Sequence, residues 1–249
     1  MLKAVLIDLD NTMVLYDEAA FYLRYFEKIA PRFADLWSPP ELQQRMIAAV
    51  GALGANDGSR SNREAFIDAF VDGSGLPADD VWNRFIDFYR NDYDRIEKKV
   101  IAPAGLHEVL DRLYGIGLTL VVATNPIFPL MVQEKRLAWV DLKPADFALT
   151  THMENSAFVK PRTGYYRRIC RALGLSAAEC LMVGNDAVND MAAARIGMRT
   201  YLTTEAGPID YRALGPARRR SAGASADIPA PDFHGPFASV MNAVERLMR

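Results

Sequence analysis

The chain has little cysteine: two residues in 249, Cys170 and Cys180. That excludes a disulfide-stapled scaffold. Cys170 falls in a helical pattern and Cys180 opens an apolar strand, so both read as small buried hydrophobes. Histidine is nearly as scarce, with three residues. His107, His152 and His234 stand far apart, and no His/Cys cluster with zinc-binding spacing exists. No apolar run reaches the roughly 18 residues a membrane helix needs. The opening residues lack the basic start and long apolar stretch of a secretory leader, so the cytoplasm is the expected compartment. Charge of one sign is missing too: 29 Lys and Arg oppose 31 Asp and Glu, a formal net charge of −2. Neither nucleic acid, which selects a strongly basic face, nor a membrane is therefore expected as a partner. Arg218-Arg219-Arg220 reads as a local solvated loop. Gly51-x-x-Gly54 has no strand before it and is not a nucleotide-binding fingerprint.

What is present is apolar periodicity. Half of the residues are hydrophobic, enough for a sizeable core. Leu2-Lys3-Ala4-Val5-Leu6-Ile7 reads as a buried strand of a parallel sheet. The stretch 16–100 is helical and aromatic-rich, with helices predicted over 18–30, 40–50, 62–71 and 78–95. Proline and acidic residues sit where helix starts favour them. From Pro103 onward the pattern alternates: helix 104–114, strand 118–123, helix 127–139, strand 147–149, helix 164–173, strand 181–183, helix 188–196 and strand 199–202. Alternation of this kind predicts an α/β fold of three layers, a parallel sheet covered on both faces. The helical block is then an insertion in one core domain. The core is 1–15 with 101–249, and the insertion is 16–100. The stretch 206–231 reads as a long loop, and 237–248 as a closing helix.

Four short motifs follow strands or turns. They are Asp8-x-Asp10-x-Thr12, then Thr124 with Asn125 after Val121-Val122-Ala123, then Lys160-Pro161, then Gly184-Asn185-Asp186-Ala187-Val188-Asn189-Asp190. Ligands of open α/β sheets bind beyond the carboxyl ends of strands. Paired carboxylates there suit both a hard metal ion and acid/base work. The first three motifs are weak alone and the Asp186-x-x-x-Asp190 pair is a moderate signal; all four in this order are a strong one.

In that order they make the chain resemble the haloacid dehalogenase superfamily of hydrolases, a Rossmann-like fold dominated by phosphatases, with 16–100 in the place of its α-helical cap. The resemblance implies Asp8 as nucleophile and Asp10 as general acid/base. It implies Thr124 as phosphate-binding hydroxyl, with Asn125 beside it, and Lys160 as the lysine that clamps phosphate. It implies Asp186 and Asp190 as the acidic pair that, with Asp8 and Asp10, holds Mg²⁺. In the superfamily's fourth motif an aspartate commonly follows glycine directly; here Asn185 intervenes, leaving open which of Asp186 and Asp190 touches metal. Dehalogenases of the superfamily lack an aspartate at the position of Asp10, so the expected activity is hydrolysis of a small phosphorylated metabolite through an aspartyl-phosphate. A phosphomutase, or a binding protein on the same scaffold, is the alternative.

Four further residues are candidates for substrate contact: Tyr16 near the mouth of the site, Asn125, and Arg60 and Asn62 in an insertion loop. The aromatic spacing of Tyr22, Tyr25 and Phe26 reads as core. The insertion is expected to hinge about its two crossings, near 13–16 and 100–103.

Overall fold

A computed structural model describes residues 1–96, 98–207 and 228–249. Six strands form one parallel sheet: β1 (Ala4–Ile7), β2 (Thr119–Val122), β3 (Leu149–Thr150), β4 (Cys180–Gly184), β5 (Arg199–Thr203) and β6 (Phe233–Gly235). Their spatial order is β3-β2-β1-β4-β5-β6. The order reverses at β1, so the crevice between β1, β2 and β4 lies at the topological switch point, where such sheets bind ligands.

β1 is buried throughout and feeds both faces of the sheet. Val5 and Ile7 pack into one core cluster, Ala4 and Leu6 into the other. This is the period-two alternation of a strand covered on both sides. Helix α7 (Thr163–Leu173) covers the second face through Tyr165, Tyr166, Ile169 and Cys170. The first face carries α5 (Leu106–Gly115), α6 (Leu130–Ala138) and α8 (Val240–Met248). Cys170 and Cys180 are buried and unbridged.

Between β1 and α5 stand four helices: α1 (Glu18–Ile29), α2 (Pro39–Ala55), α3 (Asn62–Val71) and α4 (Ala78–Asn91). Their shared core is aromatic. Phe85 is fully buried, with ring centroids of Phe33 and Phe70 at 4.9 Å and Phe66 at 5.5 Å. Tyr25 is buried, and Tyr22 and Phe26 pack on the same cluster. The two crossings of this block pair with each other, Leu15 and Ile101 exchanging main-chain hydrogen bonds of 2.9 and 3.0 Å.

Two expectations differ from what is seen. The predicted helix 188–196 is a 3-10 segment, Met191–Ile196. The Asp186 carboxylate captures the N–H groups of Val188 and Asn189, at 2.9 and 2.7 Å, and so competes with helical bonding just before it. β6 carries no sequence signal of its own, because three residues are too few to show a period. Most of the predicted loop 206–231, with Arg218 to Arg220, lies outside the described residues. Among the described residues no helix is long and apolar enough to cross a membrane.

Candidate active site

Beyond the carboxyl ends of β1, β2 and β4 lies a cavity of about 40 Å³, lined by Asp8, Asp10, Thr124, Asn125, Lys160, Asp186 and Asp190, together with Glu18, Asn185 and Asn189. All seven site residues read from the motifs thus meet at one place. Parallel register brings them there: Ile7 lies beside both Val122 and Val183. The next main-chain N–H, that of Asp8, donates to the Val183 carbonyl at 2.8 Å.

After Asp8 the chain turns sharply. Asn11 adopts the left-handed conformation, φ +57°, which asparagine tolerates better than most residues. Its side-chain oxygen accepts from the Tyr16 N–H at 3.1 Å. This turn presents Asp10 to the cavity. The Asp10 carboxylate also meets two donors behind the cavity wall: Tyr16 Oη at 2.8 Å and Arg136 Nη1 at 2.5 Å. Thr12 Oγ1 lies 3.4 Å from Asp8 and 3.2 Å from the Asn185 side-chain oxygen. Asn185, the departure from the superfamily pattern, therefore ties the fourth motif to the first.

Lys160 is fully buried, and its ammonium donates to Asp8 at 2.8 Å and to Asp190 at 2.5 Å. Asn125 steadies it by accepting from the Lys160 main-chain N–H at 3.2 Å. Thr124 is anchored from behind, its carbonyl accepting from Thr151 and Tyr165 hydroxyls, each at 2.8 Å. Asp190 also accepts from the Asp186 N–H at 2.9 Å. Its carboxylate lies against Gly184, where a Cβ would stand 2.1 Å from an Asp190 oxygen. Glycine ends β4 because no side chain fits there.

The electrostatics follow from burial. Desolvation pushes the Asp8 carboxyl up to about 8; Lys160 opposes the shift, while Asp190 and Asp10 add to it. Burial likewise raises Asp190, against the pull of Lys160 and with help from Asp186. Burial opposes the charge of Lys160, yet Asp190 and Asp8 outweigh it and hold the ammonium well above the usual lysine range. One buried ammonium thus serves two buried carboxylates, with Asp186 close by. The pocket carries surplus negative charge on hard oxygen donors, which fits a small divalent cation. Among the described residues no three acidic, histidine or cysteine side chains form a ready-made cage. Mg²⁺ does not need one, since it uses one or two carboxylates and keeps several waters.

Tyr16 is buried and does not line the cavity, so it is not at the mouth; it meets the site only through Asp10, to which its hydroxyl donates. Arg60 and Asn62 do not line the cavity. Arg60 pairs with Asp68 at 2.5 Å on the surface. Asn62 is fully buried and donates to the carbonyls of Pro126 and Phe158, so it is a strut between insertion and core. Sequence reasoning missed Arg136 and Glu18. Arg136 interrupts the buried stripe Val132, Gln133, Leu137 of α6, a signal visible only once that face is known to be covered. Glu18, in the first turn of α1, reads in sequence as a complement to the helix dipole; among the described residues it is the insertion's one contribution to the cavity lining.

Comparison with solved structures gives the same architecture over nearly the whole chain. A predicted phosphoglycolate phosphatase from Haemophilus somnus 129pt is 18% identical, with a TM-score of 0.56 and 98% of each chain covered. A 2-haloacid dehalogenase from Pseudomonas syringae pv. Tomato DC3000 is 19% identical, with a TM-score of 0.61 and 99% of each chain covered. CbbY from Rhodobacter sphaeroides, solved in complex with phosphate, is 18%identical, with a TM-score of 0.55 and 96% of each chain covered. At these identities the likeness establishes the fold. No curated protein sequence matches the chain. The model of the haloacid dehalogenase-like hydrolases matches residues 2–197, through all four motifs, and the chain belongs to that family.

Proposed function

We propose that the protein is a phosphomonoesterase that hydrolyses a small phosphorylated metabolite through a phosphoryl group carried on Asp8. The helical insertion 16–100 acts as its cap, over a core formed by 1–15 and 101–249. The observation that carries this reading is Asp10. It lines the same cavity as Asp8, where Lys160 stands 2.8 Å from the Asp8 carboxylate. A halide leaves carbon without a proton, so a dehalogenase has no use for an acid beside its nucleophile. An alkoxide leaving phosphorus needs one.

In this reading an Asp8 oxygen attacks phosphorus, and the bond from phosphorus to the leaving oxygen breaks. Asp10 delivers a proton to that oxygen. Lys160 supplies fixed positive charge and Thr124 a hydroxyl to the transferring group, with Asn125 alongside. Positioned charge and donors of this kind carry most of phosphoryl-transfer catalysis. Asp10, now a carboxylate, takes a proton from water. The water oxygen joins phosphorus, the Asp8–phosphorus bond breaks, and inorganic phosphate leaves. Mg²⁺, held by Asp8, the Asp10 carbonyl and the Asp186/Asp190 pair, would offset the repulsion between phosphate and the attacking carboxylate. The small, acid-lined cavity suits a small substrate; nothing in it suits nucleic acid or lipid.

The test is phosphate release from a panel of phosphorylated metabolites, with Mg²⁺ or EDTA, for wild type and Asp8→Asn. Mg²⁺-dependent release that falls at least about 10³-fold in Asp8→Asn is the expected result, since loss of a nucleophile leaves only binding and electrostatic terms. Halide release from a 2-halo acid, with no phosphate from any ester, contradicts it.

A further inference from the structure

Arg136 is among the largest fully buried side chains of the chain, and its carboxylate partner is Asp10, at 2.5 Å. Its Nε donates to Tyr93 Oη at 2.8 Å, and among the described residues Nη2 has no hydrogen-bond partner. Its guanidinium lies 4.4 Å from the ring centroid of Phe128 and 5.6 Å from that of Phe21. Tyr93 stacks on Trp139, centroids 6.1 Å apart, and Trp139 meets Tyr16 edge-on at 6.0 Å. Aromatic packing from both insertion and core therefore fixes the guanidinium, while Tyr16 Oη holds the other Asp10 oxygen at 2.8 Å.

Stability does not explain this arrangement. Burying a guanidinium is costly, and a hydrophobic side chain of similar volume often serves as well or better. One Nη left without a partner makes the cost worse. What the arrangement does achieve is orientation. An aspartate on a turn has several accessible rotamers; a carboxylate held at both oxygens by two immobile donors has one.

We infer that Arg136 and Tyr16 are positioning residues for acid/base chemistry, holding the Asp10 carboxylate toward the leaving-group side of the cavity. Neither residue lines the cavity, so both act through Asp10. The inference rests on the phosphatase reading. It assigns a role to a residue of α6 that none of the four motifs contains. Burial keeps the Tyr16 phenol in its neutral, donating form.

The two chemical steps separate positioning from mere structural support. A nitrophenolate leaves phosphorus with little need of a proton, whereas an alkoxide depends on one. Loss of Asp10 alignment should therefore injure alkyl ester cleavage far more than release of nitrophenolate in the first turnover. The experiment compares wild type, Arg136→Met, Arg136→Lys and Tyr16→Phe by rapid quench on p-nitrophenyl phosphate and on glycerol phosphate with Mg²⁺. For Arg136→Met, glycerol phosphate turnover is expected to fall about 10²-fold or more, within the range general acid/base catalysis supplies. The nitrophenolate burst is expected to fall less than about tenfold, followed by accumulation of phosphoenzyme because water activation also suffers. KM should change little. Arg136→Lys should recover part of the loss. Tyr16→Phe, which deletes only a hydroxyl, should repeat the pattern with a fall of about tenfold, and it covers the case in which Arg136→Met does not fold. Equal fractional losses on both esters, or no loss on either, overturn the inference and leave the phosphatase reading standing. Wild-type protein that cleaves neither ester overturns both.

Discussion

At the scale of single residues, the site is a set of charges that the fold holds at a cost. Asp8, Lys160 and Asp190 are buried together, and burial raises both carboxyls, Asp8 to about 8. A carboxyl whose folded value exceeds its unfolded value binds more protons folded than unfolded across that window. Stability then falls as pH rises. The metal-free protein is accordingly expected to lose thermal stability progressively from about pH 4 to pH 8. Asp8→Asn removes the Asp8 share of that dependence, so at pH 8 its metal-free melting temperature should exceed that of wild type while its activity is lost. Melting curves in EDTA across this pH range check the claim, and a wild type more stable than Asp8→Asn at pH 8 contradicts it. Such a trade of stability for function is common at active sites. At this scale the sequence was informative. Seven residues picked by order and strand position line one cavity, because strand ends fix where such side chains go. Arg136 escaped notice because its meaning depends on which residues cover α6, and no local pattern records that.

At the scale of elements, the core completes the helix ends of the insertion. The first N–H groups of a helix and its last carbonyls lack partners inside it. At the start of α3, the Asn62 and Arg63 N–H groups donate to the core carbonyls of Ser156 and Met153, at 2.7 and 2.9 Å. At the end of α2, the carbonyls of Gly54 and Asn56 accept from the guanidinium of Arg162, a core residue. Cations belong at that end of a helix. Arg162→Ala should therefore loosen this seam: amide hydrogen exchange at the α2–α3 junction is expected to quicken about tenfold or more while the sheet is unchanged, as loss of a charged hydrogen bond predicts. Unchanged exchange there would mean that the guanidinium contributes nothing to docking. Helix positions were legible from apolar spacing and caps, and 62–71 agrees with α3 at both ends. The seam was not legible, because each half of it lies in a different part of the sequence. Hence Arg60 and Asn62 looked like substrate readers, when one is a surface ion pair and the other a buried strut.

At the scale of the whole molecule, the sheet order puts β1 between β2 and β4, and the cavity sits where the order reverses. The aromatic core runs without a break from the sheet into the helical insertion. The expected hinges near 13–16 and 100–103 are bonded to each other through Leu15 and Ile101. Rotation of the insertion as a rigid lid would also break the α2–α3 seam and part Phe128 from Tyr22 and Tyr25. A cavity of about 40 Å³ is of the order of one or two waters. These contacts oppose any swing of the insertion that would enlarge the cavity for a substrate. The α/β class and the insertion were readable from alternation and its interruption; the depth of their union was not, because contact between distant segments leaves no periodicity.

The central claim is that Asp8 carries the phosphoryl group. The measurement that tests it most directly is rapid-quench mass spectrometry of the Asp8 peptide during turnover of a phosphate ester with Mg²⁺. A phosphoryl adduct on Asp8 that forms and decays at the rate of phosphate release is the predicted result. Phosphate released while Asp8 stays unmodified throughout would contradict it.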